Sequence, residues 1–148
     1  LEPEVEQAAF TLRVGQRSRQ IETPRGYVIV AREADPELGP TQIWARHILI
    51  SFVGARRMPE GVERTREDAE ALVAQLLAQL AEDPTQFEVL AGEYSDEPGA
   101  LERGGDLGPF ARGAMVAAFE RVAFTLEVNQ ISPLVETPFG FHIIQRYR

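Results

Sequence analysis

Residues 119–146 read FERVAFTLEVNQISPLVETPFGFHIIQR, and residues 5–32 read VEQAAFTLRVGQRSRQIETPRGYVIVAR. The two stretches align without a gap at an offset of 119 − 5 = 114, and 14 of the 28 aligned pairs are identical. Phe10/Phe124, Thr23/Thr137, Pro24/Pro138, Gly26/Gly140 and Ile29/Ile143 are among them. A stretch that recurs at fixed register is a structural unit used twice. Its pattern is a short amphipathic helix followed by two strands around a Thr-Pro-x-Gly turn. In the first copy Val5, Ala8, Ala9 and Leu12 share one side of a helix over 3–12, and 20–23 and 26–31 are the strands. Only the end of the unit occurs before residue 33. Residues 33–41 (EADPELGPT) carry two prolines, a glycine and three acids, the composition of a linker. The expected organisation is therefore a C-terminal fragment of a preceding, degenerate unit at 1–32, a linker at 33–41, and a complete domain at 42–148.

Working outward, residues 42–52 (QIWARHILISF) are rich in β-branched and aromatic side chains and read as a strand. A polar loop follows. Thr65 and Asp68 have the spacing of a capping box, and Ala69, Leu72, Val73, Leu76, Leu77 and Leu80 recur at i, i+3, i+4 behind it. Asp83-Pro84 restarts a second helix, with Asp as N-cap and Pro at the first position. Its inner face is Phe87, Leu90, Ala91 and Tyr94. Residues 95–108 (SDEPGALERGGDLG) read as one long glycine-rich loop. A turn at 112–116 leads to a helix over 116–124, and 131–136 with 141–147 make a final hairpin. Helices grouped between hairpin-linked strands indicate an α+β domain with an antiparallel or mixed sheet.

Composition narrows the function classes. The chain has 148 residues, 44% hydrophobic and 26% charged, an ordinary globular balance. No apolar run approaches the roughly 20 residues of a membrane span. A formal net charge of −8 argues against nucleic acid, which demands a basic face. With no cysteine there is no disulfide, thiolate metal site or thiol nucleophile. His47 and His142 are the only histidines, too few for a zinc site that needs three or four ligands.

Four stretches, ARHILI (45–50), FEVLAGEYSDEPGALERGGDLGPF (87–110), RGAMVAAFERVAF (112–124) and ISPLVETPFGFHII (131–144), occur in one order and at one spacing. Together they resemble the parvulin family of peptidyl-prolyl cis-trans isomerases over 42–148. The layout, with the end of one unit followed by a linker and a complete second unit, also resembles the multi-parvulin periplasmic chaperones. The resemblance implies an FKBP-like α+β fold with a four-stranded, mostly antiparallel sheet and about four helices. It implies isomerisation of X-Pro bonds in unfolded or folding polypeptides, without cofactor or metal, by an extracytoplasmic protein with a membrane anchor possible elsewhere. A catalytically weak chaperone module that binds chains in the same groove is the alternative.

Such a reaction needs no covalent step. The barrier of 18–20 kcal/mol comes from amide resonance, so the site must hold the proline ring and favour a twisted amide. By similarity, Leu107, Met115 and Phe119 line the proline pocket, with Phe139 of the hairpin turn beside them; taken alone, the first three read as ordinary core. His47, His142 and Thr137 form the polar cluster beneath the amide, in a direct or a structural role. Where parvulins carry cysteine or aspartate, this chain has Glu97, preceded by Asp96. Either acid could serve the amide, or both could be solvated loop residues. Gly104–Gly108 lacks the Lys-Ser/Thr of a phosphate loop and reads as a tight turn, with Asp106 bonding nearby amides. Arg56 and Arg57 could grip a phosphate, but a solvated loop is the ordinary reading. In the N-terminal copy Val5 stands at the place of Phe119 and Val28 at that of His142, so that copy keeps the scaffold and lacks the site.

Overall fold

The computed structural model describes residues 2–13, 15–32 and 39–148. Most of the expected linker, residues 33–38, lies outside the described residues. The chain divides into two compact units, Leu1–Thr41 and Gln42–Arg148.

The first unit is helix α1 (Pro3–Thr11) and a hairpin, β1 (Ile21–Thr23) and β2 (Gly26–Val28). The strands are shorter than the sequence pattern suggests; beyond them the Arg17–Ala31 bridge and the backbone bonds Ser18–Val30 and Gln16–Arg32 continue the pairing. Pro3 opens α1, where its missing N–H costs nothing.

The second unit holds β3 (Gln42–Ile50), α2 (Arg66–Glu82), α3 (Phe87–Tyr94), the one-turn α4 (Ala100–Arg103), β4 (Asp106–Ala111), α5 (Ala117–Ala123), β5 (Val135–Thr137) and β6 (Gly140–Arg146). Its sheet order is β4-β3-β6-β5, antiparallel at every pairing. The Thr65 hydroxyl accepts the Asp68 N–H and the Asp68 carboxylate accepts the Thr65 N–H, which closes the expected capping box. Asp83 accepts the Thr85 N–H at 3.0 Å and starts a single 3₁₀ turn, Pro84–Gln86, ahead of α3.

One expectation is corrected. Residues 95–108 are not a single loop: they contain α4 and the start of β4. Gly108 and Pro109 disguise the strand, since both are rare in sheets. They are tolerated because β4 lies at the sheet edge, where a missing N–H breaks no ladder.

Strand alternation divides the core in two. Ile48, Ile50, Phe141 and Ile143 face α2 and α3, packing on Val73, Leu76, Leu80, Phe87 and Leu90. Ile43, Ala45 and Ile144 face the other way, onto Phe110, Phe119, Phe124 and Leu126. Burying each such side chain contributes about 1.5–3 kcal/mol. His47 and His142 lie on this second face, on the two central strands.

Several local hydrogen bonds recur in the two aligned stretches. Ser18 N–H donates to the Val30 carbonyl at 2.7 Å, and Ser132 N–H to that of Ile144 at 2.7 Å. The Arg32 guanidinium reaches the Leu12 carbonyl at 2.9 Å, as that of Arg146 reaches Leu126 at 2.9 Å. Burial differs. Phe10, Tyr27 and Ile29 are 77%, 67% and 64% exposed, while their counterparts Phe124, Phe141 and Ile143 are 6%, 1% and 0%.

Candidate active site

The second face of the sheet opens into a cavity of about 540 Å³. Seven of the eight residues singled out in the sequence line it: His47, Glu97, Leu107, Met115, Phe119, Phe139 and His142. Thr137 lies beneath, hydrogen-bonded to His142.

Each element brings its residue for a local reason. The antiparallel register sets Leu49 opposite His142 and His47 opposite Ile144, so both imidazoles rise from the same face two residues apart. His47 is held in place by its backbone, whose N–H donates to the Gly105 carbonyl at 2.9 Å. Phe119 comes from the first turn of α5 and sets its edge against both imidazoles, with centroids at 5.6 and 5.4 Å. Met115 and Leu107 pack on the same cluster, partly buried and open to the cavity. These apolar residues are therefore core on one side and lining on the other.

The polar floor is a continuous chain. Glu97 hydrogen-bonds His47 Nε2. His47 Nδ1 lies 3.1 Å from His142 Nδ1. His142 Nε2 lies 2.7 Å from Thr137 Oγ1, which accepts the Phe139 N–H at 3.2 Å. Burial, with the neighbouring His47 adding to it, pushes the His142 pKa down to about 3, so this ring is neutral at physiological pH. Burial opposes ionisation of Glu97. The His47 hydrogen bond and the positive field of His47 and Arg103 outweigh it and hold the carboxyl below its usual range. An ionised Glu97 only accepts, so His47 Nε2 carries a proton. One proton is shared between the two Nδ1 atoms, and His142 Nε2 bonds the Thr137 hydroxyl, whichever ring donates. All four ring nitrogens are engaged within the floor. The free oxygen of Glu97 is then the strongest charge that the floor can turn to a bound amide.

Asp96 does not share this role. Its carboxylate is bound to Arg64 and to the Ser51 N–H at 2.8 Å, at the end of β3. Arg56 and Arg57, read from sequence as solvated loop residues, line the cavity. Neither guanidinium has a hydrogen-bond or ion-pair partner among the described residues. The signal for them was their doubling; nothing in the sequence gives the path by which the loop turns back to the site. The Asp106 carboxylate accepts the Gly108 N–H at 2.9 Å, the tight turn anticipated there.

A small antiparallel sheet with paired histidines on its central strands, below an apolar slot, defines a parvulin-type isomerase domain. The comparisons agree: residues 29–147 match the PPIC-type PPIase domain, and the chain belongs to that family. It is 42% identical over 113 residues to peptidyl-prolyl cis-trans isomerase Pin1 of Digitalis lanata, covering 71% of this chain and 95% of that protein. It is 31% identical over 140 residues to the chaperone SurA of Alcanivorax borkumensis, covering 93% of this chain but 30% of that protein. Among solved structures, peptidyl-prolyl isomerase ESS1 from Candida albicans superposes with a TM-score of 0.69 at 34% identity, over 73% of this chain and 63% of that one.

Proposed function

We propose that residues 42–148 isomerise X-Pro bonds without covalent chemistry, by an apolar proline slot set over a closed polar floor that ends in the Glu97 carboxylate. The carrying observation is the Glu97–His47–His142–Thr137 chain directly beneath Met115 and Phe119. A planar amide places partial negative charge on its oxygen, and twisting returns that density to nitrogen. A slot that strips water from the carbonyl and sets a carboxylate near it therefore disfavours the planar ground state relative to the twisted transition state. His47 and His142 act through Glu97: they hold and orient it while all their nitrogens are occupied.

Arg56 and Arg57 on the cavity wall favour an acidic or phosphorylated residue before proline, because two guanidiniums bind such an anion in bidentate fashion. The test is exchange NMR on Ala-Pro, Glu-Pro and phosphoserine-Pro peptides. We expect the acidic and phosphorylated peptides to be turned over faster, and Arg57→Ala to remove the preference while Ala-Pro turnover stays. We expect Glu97→Gln to lower turnover of all three with little loss of binding. Glu97→Gln turnover equal to wild type would contradict the role of the charge.

The likeness to a chaperone over 140 residues supports an extracytoplasmic folding factor acting on unfolded polypeptides. Residues 1–32 fit the last helix and hairpin of a preceding repeat whose site residues are replaced, with Val5 and Val28 in the places of Phe119 and His142. Their exposed Phe10, Tyr27 and Ile29 are the surface through which this unit would associate with another copy.

A further inference from the structure

Ser95, Asp96 and Glu97 follow one another, yet their side chains go to different places. The Ser95 hydroxyl accepts the Leu49 N–H at 3.1 Å, and the Asp96 N–H donates to the Leu49 carbonyl at 2.7 Å. The Asp96 carboxylate accepts the Ser51 N–H at 2.8 Å. Residues 95–96 thus continue the pairing of β3 along the edge that β4 leaves after Arg46. Arg64 closes the arrangement. Its guanidinium bonds Asp96 and also donates to the Ser51 carbonyl at 3.0 Å, while its own carbonyl accepts the Val53 N–H at 3.0 Å. The side chains of Arg64 and Asp96 are only 28% and 14% exposed, so water screens the pair less than it screens a surface ion pair.

Arg64 also ends the loop that carries Arg56 and Arg57. One ion pair therefore fixes two walls of the cavity at the end of β3: the segment that presents Glu97 and the segment that presents the arginines. Glu97 depends on such a fixing. Its side chain is one methylene longer than an aspartate, with one more rotatable bond, so its contact with His47 Nε2 persists only if the backbone at 95–97 is held. Besides the Ser51 N–H, Arg64 is the partner of the Asp96 carboxylate among the described residues.

We propose that Arg64 and Asp96 are positioning residues for this reaction: a latch across the end of β3 that keeps Glu97 on His47 and the arginine loop on the cavity. The proposal rests on the isomerase reading for its kinetic part and on geometry alone for its spectroscopic part. Arg64→Ala leaves the Asp96 carboxylate only the Ser51 N–H and loosens residues 95–97, and a displacement of about 1 Å at a reacting group costs on the order of tenfold or more in rate.

The test uses the whole chain with ¹⁵N-labelled histidine. Imidazole nitrogen spectra report the hydrogen bond at His47 Nε2 without substrate, and exchange NMR gives turnover per folded molecule. We expect Arg64→Ala to lower turnover about tenfold, to shift the His47 Nε2 signal, and to shift the lower limb of the pH-rate profile towards higher pH as Glu97 loses its partner. Arg64→Lys, which restores the charge, should recover most of both signals. If Arg64→Ala does not fold, Asp96→Asn decides by the same criteria, since it keeps an acceptor for Ser51 and removes only the charge. A lower melting temperature with unchanged turnover per folded molecule and unchanged ring signals would overturn the proposal and make the latch merely structural. Shifted ring signals in a chain whose wild type does not catalyse would keep the latch and reject the isomerase reading.

Discussion

Replacing His142 by valine, the residue that stands at the aligned position 28, removes the bonds to His47 and to Thr137 together. The Thr137 hydroxyl is then expected to turn to the Gly140 carbonyl, as that of Thr23 donates to Gly26 at 2.7 Å. The substitution also changes how stability depends on pH. His142 has an ordinary value of 6.5 and is held near 3 by burial. The unfolded chain therefore takes up a proton below 6.5 that the folded chain refuses until about 3. The stabilisation is complete above 6.5, declines as pH falls, and is gone below about 3; a pKa lowered by one unit corresponds to about 1.4 kcal/mol. Glu97 adds the same sign in a lower window, downward from 4.5. Thermal melts of wild type should lose stability steadily from about pH 6.5 towards pH 4, and those of His142→Val should be flatter over that range. An unchanged pH slope would show that His142 is not the group responsible. At this scale the sequence is informative where a residue type is rare: two histidines in 148 residues point to each other. It is uninformative at Asp96 and Glu97. Adjacent acids of equal charge differ only in which way the backbone turns them, and β3 decides that through Leu49 and Ser51.

The strand most weakly written in the sequence, β4, is the one that carries the backbone support of His47. Gly105 precedes it with φ +75°, and a Cβ there would lie 2.2 Å from the His47 carbonyl oxygen. Gly105→Ala must push β4 off β3 or move His47. We expect a loss of about 3 kcal/mol in urea denaturation and reduced turnover per folded molecule. Gly108 serves as the control, with φ +67° but open space around its Cα; Gly108→Ala should cost only about 1 kcal/mol of backbone strain. Equal costs at the two positions would contradict the close approach at Gly105. Helix α2, by contrast, is legible from Thr65 to Leu80. Its cap and its apolar stripe are local patterns, each set by residues within a turn of one another. The pairing of β4 with β3 joins residues some 60 positions apart, about 106 − 46, and local propensity opposes it at Gly108 and Pro109.

For the whole molecule, the aligned stretches share several hydrogen bonds and differ at Thr23 and Thr137 and in what covers them. Gly140 shows this at one atom: a Cβ there would lie 2.5 Å from the Ile50 carbonyl oxygen of β3, whereas Gly26 has nothing within 4 Å. The first unit is thus a helix and a two-stranded hairpin, marginal by themselves in water. Through it the chain is expected to self-associate as concentration rises. Sedimentation velocity should record this, and Tyr27→Lys with Ile29→Lys should abolish it while turnover is unchanged. A monomer across the whole concentration range would contradict association through this surface. The offset of 114 was visible in the sequence, and so were the valines at 5 and 28, aligned with Phe119 and His142. That residues 1–32 lack the strands and helices needed to cover Phe10 and Ile29 was visible too; how far each is exposed was not. The central claim, that the floor and slot of residues 42–148 catalyse rotation about X-Pro bonds, is tested most directly by exchange NMR. The cis-trans rate of an acidic X-Pro peptide at equilibrium is measured with and without catalytic amounts of the wild-type chain, and again with Met115→Ala. The account predicts exchange well above the uncatalysed timescale of tens of seconds, lost or much reduced on truncation of Met115. Peptide binding with an exchange rate equal to that of the free peptide would contradict it, and would leave a chain-binding groove in place of an enzyme.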